Sequence, residues 1–400
     1  MHHEYILSES WLRESLSLPK RSRLYPLKPY GLGTPWVESL SSYITRLAAI
    51  HQVATGVLLS QELAPFLNKC DREQRLSTKY YQTFFSQTGA WNGTGMMATE
   101  PMSVLQKLTQ QPSLRFLTLI TWSSVLSTKN LLRPHKAWCP LCYEEWNKNT
   151  QIVHDPLLWC ISAITTCSRH KQILLNLCPN CGEMIYELSW NSKVGFCCRC
   201  HYWLGNNCRV NNNINIKLDD WEWQNFINQQ IGSILANAPY LIQLPCLDKL
   251  ANAIDFCIQT YGRGNASYFA EQMFLSPTVP LDWRQGRTLP SLNLLLRVCY
   301  RLSIPLIDIL TGNVKVLEPQ ALKELPLCQQ QRKTNRPFTL NTVQQLLENA
   351  LIEEPPKSVM EVAAAISYHK TELYRHFPDL CRQITTRYKL YRYQSQRERV

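Results

Sequence analysis

Four pairs of metal-binding side chains, each pair separated by two residues, fall between positions 139 and 200: Cys139-Pro-Leu-Cys142, Cys167-Ser-Arg-His170, Cys178-Pro-Asn-Cys181 and Cys197-Cys-Arg-Cys200. At that spacing one tight turn aims two soft donors at a single cation. Eight donors suit two tetrahedral Zn2+ ions, one held by four cysteines and one by three cysteines and a histidine. Four protein ligands leave no coordination position for water, so the expected role is structural. Pairing stays open at this point, because consecutive and interleaved pairs use the same ligands. Cys160, Cys198 and Cys208 are expected to be core or incidental thiols. Cys197 is preferred to Cys198 because it completes the pair with Cys200.

Disulfides are the competing use for sixteen cysteines. The start, Met1-His2-His3-Glu4, lacks the basic end and apolar core of a secretory signal. No run reaches the roughly eighteen apolar residues of a membrane span. A chain of 400 residues can also bury a core without covalent staples. Spacing and expected compartment together favour zinc.

The elements that must position these ligands are expected to be helices. Glycine is scarce at 14 and the apolar fraction is 45%, which suits a folded, mainly α chain of two to four domains. The net charge of +12 points to a polyanionic partner, or to a merely basic soluble protein. Charge distribution favours the former. Arg382 to Val400 holds six Lys/Arg and one acid, interleaved with Tyr388, Tyr391 and Tyr393. That composition predicts a basic tail for phosphate contact.

Along the chain, Pro35 is expected near the first position of a helix. In Ser39-Leu-Ser-Ser-Tyr-Ile-Thr-Arg-Leu-Ala-Ala-Ile50, Leu40, Tyr43, Ile44, Leu47 and Ile50 share one helical face. A short helix over 56–66 would make a helix-turn-helix or an ordinary hairpin. Gly89, Gly93 and Gly95 mark a loop before a Leu-rich helical region at 102–126. A connecting helix over 220–235 offers Trp221, Phe226, Ile227 and Ile231 as apolar positions. These signals divide the chain into 1–130, a double zinc-binding module at 131–210, a linker at 211–248, a helical domain at 249–330 and a C-terminal domain at 331–400.

Two later regions resemble DNA-reading helix pairs. Around 268–312 the pattern resembles the repressor-type helix-turn-helix, with Ser276 as cap, Pro277 as first residue and Thr278, Arg284 and Arg287 as candidate DNA contacts. Pro280 conflicts with a regular helix there and predicts a kink. A bundle that keeps the fold without touching DNA is the alternative. In the C-terminal region Ser358-Val-Met-Glu361 is a capping box that opens a helix with Val359, Val362, Ala363 and Ile366 for a core. A turn at Ser367-Tyr368 precedes a helix from His369 to Phe377, stopped by Pro378, with Leu373 and Phe377 turned to the core. His369, Lys370, Thr371 and Arg375 are candidate DNA contacts, and Arg375 has the geometry for guanine or for phosphate. Arg382, Arg387, Lys389 and Arg392 would anchor phosphates.

Taken together, Cys139-Pro-x-Cys142, Leu157-Leu-Trp-Cys160, Cys167-x-x-His170-Lys with Leu174, Cys178-Pro-x-Cys181, Gly195 and Cys197-x-x-Cys200 resemble the zinc core of the TniQ/TnsD family. Glu38-Ser-Leu-Ser-Ser-Tyr43 with Arg46-Leu-Ala48 is similar to that family's N-terminal helix-turn-helix. Leu373-Tyr-Arg-His-Phe-Pro-Asp-Leu-Cys-Arg382 resembles a unit of cyanobacterial members. The resemblance implies several helix-turn-helix domains flanking a double zinc module. It also implies a bacterial, cytoplasmic, nucleoid-associated target selector of heteromeric transposons. Such a protein binds double-stranded DNA and recruits a TnsC-like AAA+ ATPase, which brings the transposase. The alternative within the family is an adaptor that borrows the specificity of a CRISPR RNA-guided complex (Cascade).

An enzyme is the competing class. The chain has no Gly-x-x-x-x-Gly-Lys loop and no His-Glu-x-x-His. Asp219-Asp220 and Glu353-Glu354 read as capping or solvated charge rather than a two-metal site. A plain transcriptional regulator is a third option, which leaves the N-terminal motif unexplained.

Overall fold

Helices carry most of the regular structure in the computed structural model, which describes residues 21–67, 84–205, 218–315, 321–330, 340–365 and 370–397. Two compact units divide the chain, Met1–Arg332 and Lys333–Val400.

In the first unit, Ser39 caps the helix Leu40–Ile50 by accepting from the Ser42 N–H at 3.2 Å. Leu40, Tyr43, Ile44 and Leu47 are fully buried, as their spacing predicts. Ile50 is 45% exposed, because it ends the helix at the edge of the core. Pro35 lies in the turn upstream, not at the first helical position. The expected second helix is present but changes its winding: Thr55–Leu58 is α, Leu59–Leu63 is a π turn and Ala64–Phe66 is a 3-10 turn. The Leu-rich region is also broken. A helix Met96–Thr109 ends at Gln110, whose φ of 55° places it in the left-handed region, and 3-10 turns follow at Pro112–Leu117 and Ile120–Trp122.

Beyond the cysteine-rich segment, the helix Leu218–Asn237 buries Trp223, Ile227, Ile231 and Ile234. Ile227 and Ile231 are where the sequence puts them. Trp221 and Phe226 are only half-buried, since the inward stripe runs through Trp223 instead. Helices Leu247–Gly262, Ala266–Gln272, Val279–Arg284, Leu292–Leu302 and Leu306–Thr311 complete the unit. A single apolar core runs through it from Leu24 to Leu325.

The helix Val279–Arg284 corrects three expectations. Its cap is Thr278, so Ser276 and Pro277 stand outside it. Pro280 is its second residue, where the backbone N–H would have no partner within the helix anyway. No kink results.

The second unit packs Leu340–Ala350, Val359–Ala365, Lys370–His376 and Pro378–Arg397 around a small core that includes Val343, Leu347, Val362, Leu373, Cys381 and Ile384. The capping box forms as predicted. The Ser358 N–H donates to Glu361 Oε2 at 2.7 Å, and the Glu361 N–H donates to Ser358 Oγ at 3.2 Å. Val359, Val362 and Ala363 are buried, while Ile366 and the Ser367-Tyr368 turn lie outside the described residues. Leu373 is fully buried and Phe377 packs against the same core. Pro378 stops one helix and opens the next, so the expected basic tail is helical from Pro378 to Arg397.

Candidate metal centres

The ligand pairs are built in two ways. Cys139 and Cys142 flank the start of the helix Pro140–Lys148: Cys139 is its N-cap, Pro140 its first residue, and Cys142 lies in the first turn. The other three pairs sit on tight turns, each followed by a residue at positive φ: Lys171 at 49°, Gly182 at 69° and His201 at 57°. Those residues reverse the chain directly behind the second ligand. The Gly182 N–H donates to the Cys178 carbonyl and the His201 N–H to the Cys197 carbonyl, closing two of the turns. His170 rides on the loop between two short antiparallel strands, Thr166–Cys167 and Gln172–Ile173, in which Cys167 faces Gln172.

Consecutive pairs converge. Cys139, Cys142, Cys167 and His170 form one cluster, and Cys178, Cys181, Cys197 and Cys200 the other, with all donor atoms of a cluster within 4.8 Å of one another. Of the two pairings left open by the sequence, this is the consecutive one. Tetrahedral zinc with Zn–S near 2.3 Å and Zn–N near 2.0–2.1 Å requires donor–donor edges of about 3.5–3.8 Å. His170 Nδ1 lies 3.5, 3.2 and 3.8 Å from the sulfurs of Cys139, Cys142 and Cys167, and Cys142 and Cys167 are 3.6 Å apart. In the second cluster Cys178–Cys200 measures 3.6 Å and Cys181–Cys197 3.8 Å. Both donor sets fit a zinc ion in number, chemistry and spacing.

Their surroundings differ. Three ligands of the first cluster are buried, and Tyr143 and Trp146, on the helix that Cys139 opens, pack with Trp36, Trp159 and Trp203. In the second, Cys178 and Cys197 are buried but Cys181 is exposed. A hydrogen bond from Trp203 Nε1 to Glu144 Oε2, 3.1 Å, ties the second cluster's segment to the helix that opens the first. Cys198 stands outside both clusters, and Cys160 is a core thiol that accepts from Asn92 Nδ2 at 3.4 Å. Cys208 lies outside the described residues.

A buried polar network joins the Glu38–Tyr43 segment to the ligand-bearing segment. Glu38, fully buried, accepts from Arg46 Nη1 at 2.6 and 2.7 Å and from the Tyr30 N–H at 2.6 Å. The Ser39 N–H donates to the Asp155 carbonyl, and Ser42 Oγ accepts from the Asp155 N–H. Ser41 meets Asn92 and Glu187, and Asp155 itself is held by Lys136 and the Tyr143 hydroxyl. Burial raises Glu38 to about 7 against the pull of Arg46, and raises Glu187 and Tyr143 as well. Glu38 and Arg46 were legible as one motif. Asn92, Lys136, Asp155 and Glu187 were missed, because each comes from a distant segment and carries no local signal.

Residues 29–174 match the TniQ family model. The chain carries a TniQ domain. No curated protein matches the chain. The matched segment contains the serine motif and every ligand of the first cluster, and the second cluster lies wholly beyond it. TniQ-family proteins are non-catalytic components of transposition, which makes this TniQ-domain chain transposition-associated. No helix among the described residues is long and apolar enough to cross a membrane.

The candidate DNA contacts lie in both units. Thr278 is exposed, but Arg284 is paired with Asp255 at 3.5 Å and Arg287 with Asp282 at 3.9 Å, so both cations are partly spent within their own unit. In the second unit Lys370, Arg375, Arg382 and Lys389 are exposed. Arg382 meets Asp379 at 3.3 Å on the surface, a pairing that water and salt weaken. Arg387 instead donates to the carbonyls of Ala350, at 3.4 Å, and Glu353, at 2.8 Å, and pairs with Glu354. It therefore finishes the helix Leu340–Ala350, a structural use that the sequence reading missed. His369 and the side chains of Thr371 and Arg392 lie outside the described residues.

Proposed function

We propose that this protein selects the target site of a heteromeric transposon, binding a specific chromosomal attachment-site duplex and recruiting an AAA+ ATPase regulator and thereby the transposase. The observation that carries this reading is the joining of a TniQ domain to a separate C-terminal unit with exposed Lys370, Arg375, Arg382 and Lys389 on two consecutive helices. An adaptor that takes its specificity from a guide-RNA complex has less need of such a surface. Lys370, Thr371 and Arg375 would read base edges, with Arg382, Lys389 and Arg392 positioning the unit on phosphates. Two bound Zn2+ ions would be structural, and the chain itself would cut no DNA.

Selection from a random and a genomic duplex library with the purified chain tests this. One enriched sequence motif is the expected result; the absence of enrichment overturns direct recognition in favour of the guide-RNA adaptor. Arg375→Ala should then weaken binding to the enriched sequence by about 1–3 kcal/mol while leaving other duplexes nearly unaffected. Equal weakening on every duplex would make Arg375 a phosphate contact.

A further inference from the structure

Among the ligands of the first cluster, only His170 can present either of two nitrogens, and its ring must be held at the right χ1 and χ2 to aim one of them at a cation. Something must hold it. Its Nδ1 faces the three sulfurs, and its Nε2 lies 3.2 Å from Glu145 Oε2. Glu145 stands three residues after Cys142 on the helix Pro140–Lys148, which places both on one face of that helix. Its other oxygen, Oε1, accepts from Arg169 Nη2 at 2.7 Å. The guanidinium of Arg169 lies 5.6 Å from the centre of the Trp36 ring. Gln172 adds a donor to Cys139 Sγ at 2.9 Å.

From this arrangement we infer that Glu145 is a positioning residue of the first metal centre: by accepting from Nε2–H it fixes the His170 tautomer and aims Nδ1 at the ion. A carboxylate behind a metal-bound imidazole does this by holding the ring and by making the ligating nitrogen more basic. The helix and the hairpin loop are then joined twice, once through the ion and once through Glu145. Arg169 continues the chain of contacts to Trp36, within the segment that precedes the Glu38–Tyr43 motif. The all-cysteine centre has no ring to orient and serves as a control within the same molecule.

The inference rests on both clusters binding metal, and the test separates the two claims. The full chain is loaded with Co2+ as the probe and titrated with a competing chelator. Binding of two equivalents, with spectra of one three-thiolate and one four-thiolate site, establishes the clusters as metal centres; failure here would remove that basis. Glu145→Ala should then weaken the three-thiolate site by about 10–100-fold and shift its ligand-field bands, with the four-thiolate site unchanged. Glu145→Gln, whose amide oxygen still accepts from Nε2–H, should restore most of the affinity. Arg169→Ala should act in the same direction as Glu145→Ala, but more weakly. Equal loss at both sites, no loss at either, or no rescue by glutamine would overturn the assignment.

Discussion

Single residues divide into those whose role is local and those whose role depends on distant partners. The ligand spacing belongs to the first kind: two donors on one turn are legible without any fold, and the eight assigned ligands, seven cysteines and one histidine, converge in two clusters. Choosing Cys197 over Cys198 leads to a direct check. Cys198→Ser should leave two metal equivalents bound by elemental analysis, whereas Cys197→Ser should lose one. Glu38 is of the second kind, since its burial comes from segments far along the chain. Its carboxyl is raised to about 7 from an ordinary 4.5, so between those values the folded chain holds a proton that the unfolded chain has released. Stability contributed by this group is therefore present at low pH and lost as pH rises through that window. Glu38→Gln removes the titration along with the pair to Arg46. The variant should be less stable throughout, but by a margin that narrows as pH rises from about 5 to about 7. Denaturation midpoints at several pH values check this, and a constant or widening margin would contradict it.

At the level of elements, local chemistry was readable where one residue decides and obscure where packing decides. The Ser358–Glu361 box and the inward face of Leu40–Leu47 follow from hydroxyl, carboxylate and spacing alone. The helix Val279–Arg284 shows the limit. In Ser276-Pro-Thr-Val-Pro280 the helix can start at either hydroxyl residue, and its start at Thr278, which makes no side-chain capping bond, turns Pro280 from a breaker into an ordinary first-turn residue. The sequence presents Arg387 as a phosphate anchor because charge is visible in a sequence and a carbonyl acceptor is not. Its hydrogen bonds to Ala350 and Glu353 close the C-terminal end of Leu340–Ala350. Arg387→Ala should lower the stability of the second unit by about 1.5–3 kcal/mol, measured by chemical denaturation. A change within experimental error, combined with a weaker duplex complex, would return Arg387 to the proposed phosphate contacts.

For the molecule as a whole, the two units have separate cores, one from Leu24 to Leu325 and one from Val343 to Ile384. The cysteine ligands contribute to the first of these alone. Stripping metal with a strong chelator should therefore unfold 1–332 and spare 333–400. Zinc supplies about 10–16 kcal/mol to small zinc-finger peptides, enough to decide folding there. Limited proteolysis with and without chelator would show it, as selective loss of the larger unit's protected fragments. Simultaneous loss of both units, or of neither, would contradict the separation. The sequence revealed a mainly helical chain around paired ligands, but not that one interior runs from the Glu38–Tyr43 segment through the first ligand cluster. That continuity came from Asn92, Lys136, Asp155 and Glu187, none of which stands near its partners in the chain. It has a practical consequence for building chimeras. A graft joined between the N-terminal helices and Lys136 would set one parent's Ser39, Ser41 and Ser42 against the other's Asp155 and Glu187, leaving buried polar groups without their hydrogen-bond partners. A junction near residue 332 falls between the two separate cores, so exchanging everything beyond it leaves each interior with its own partners.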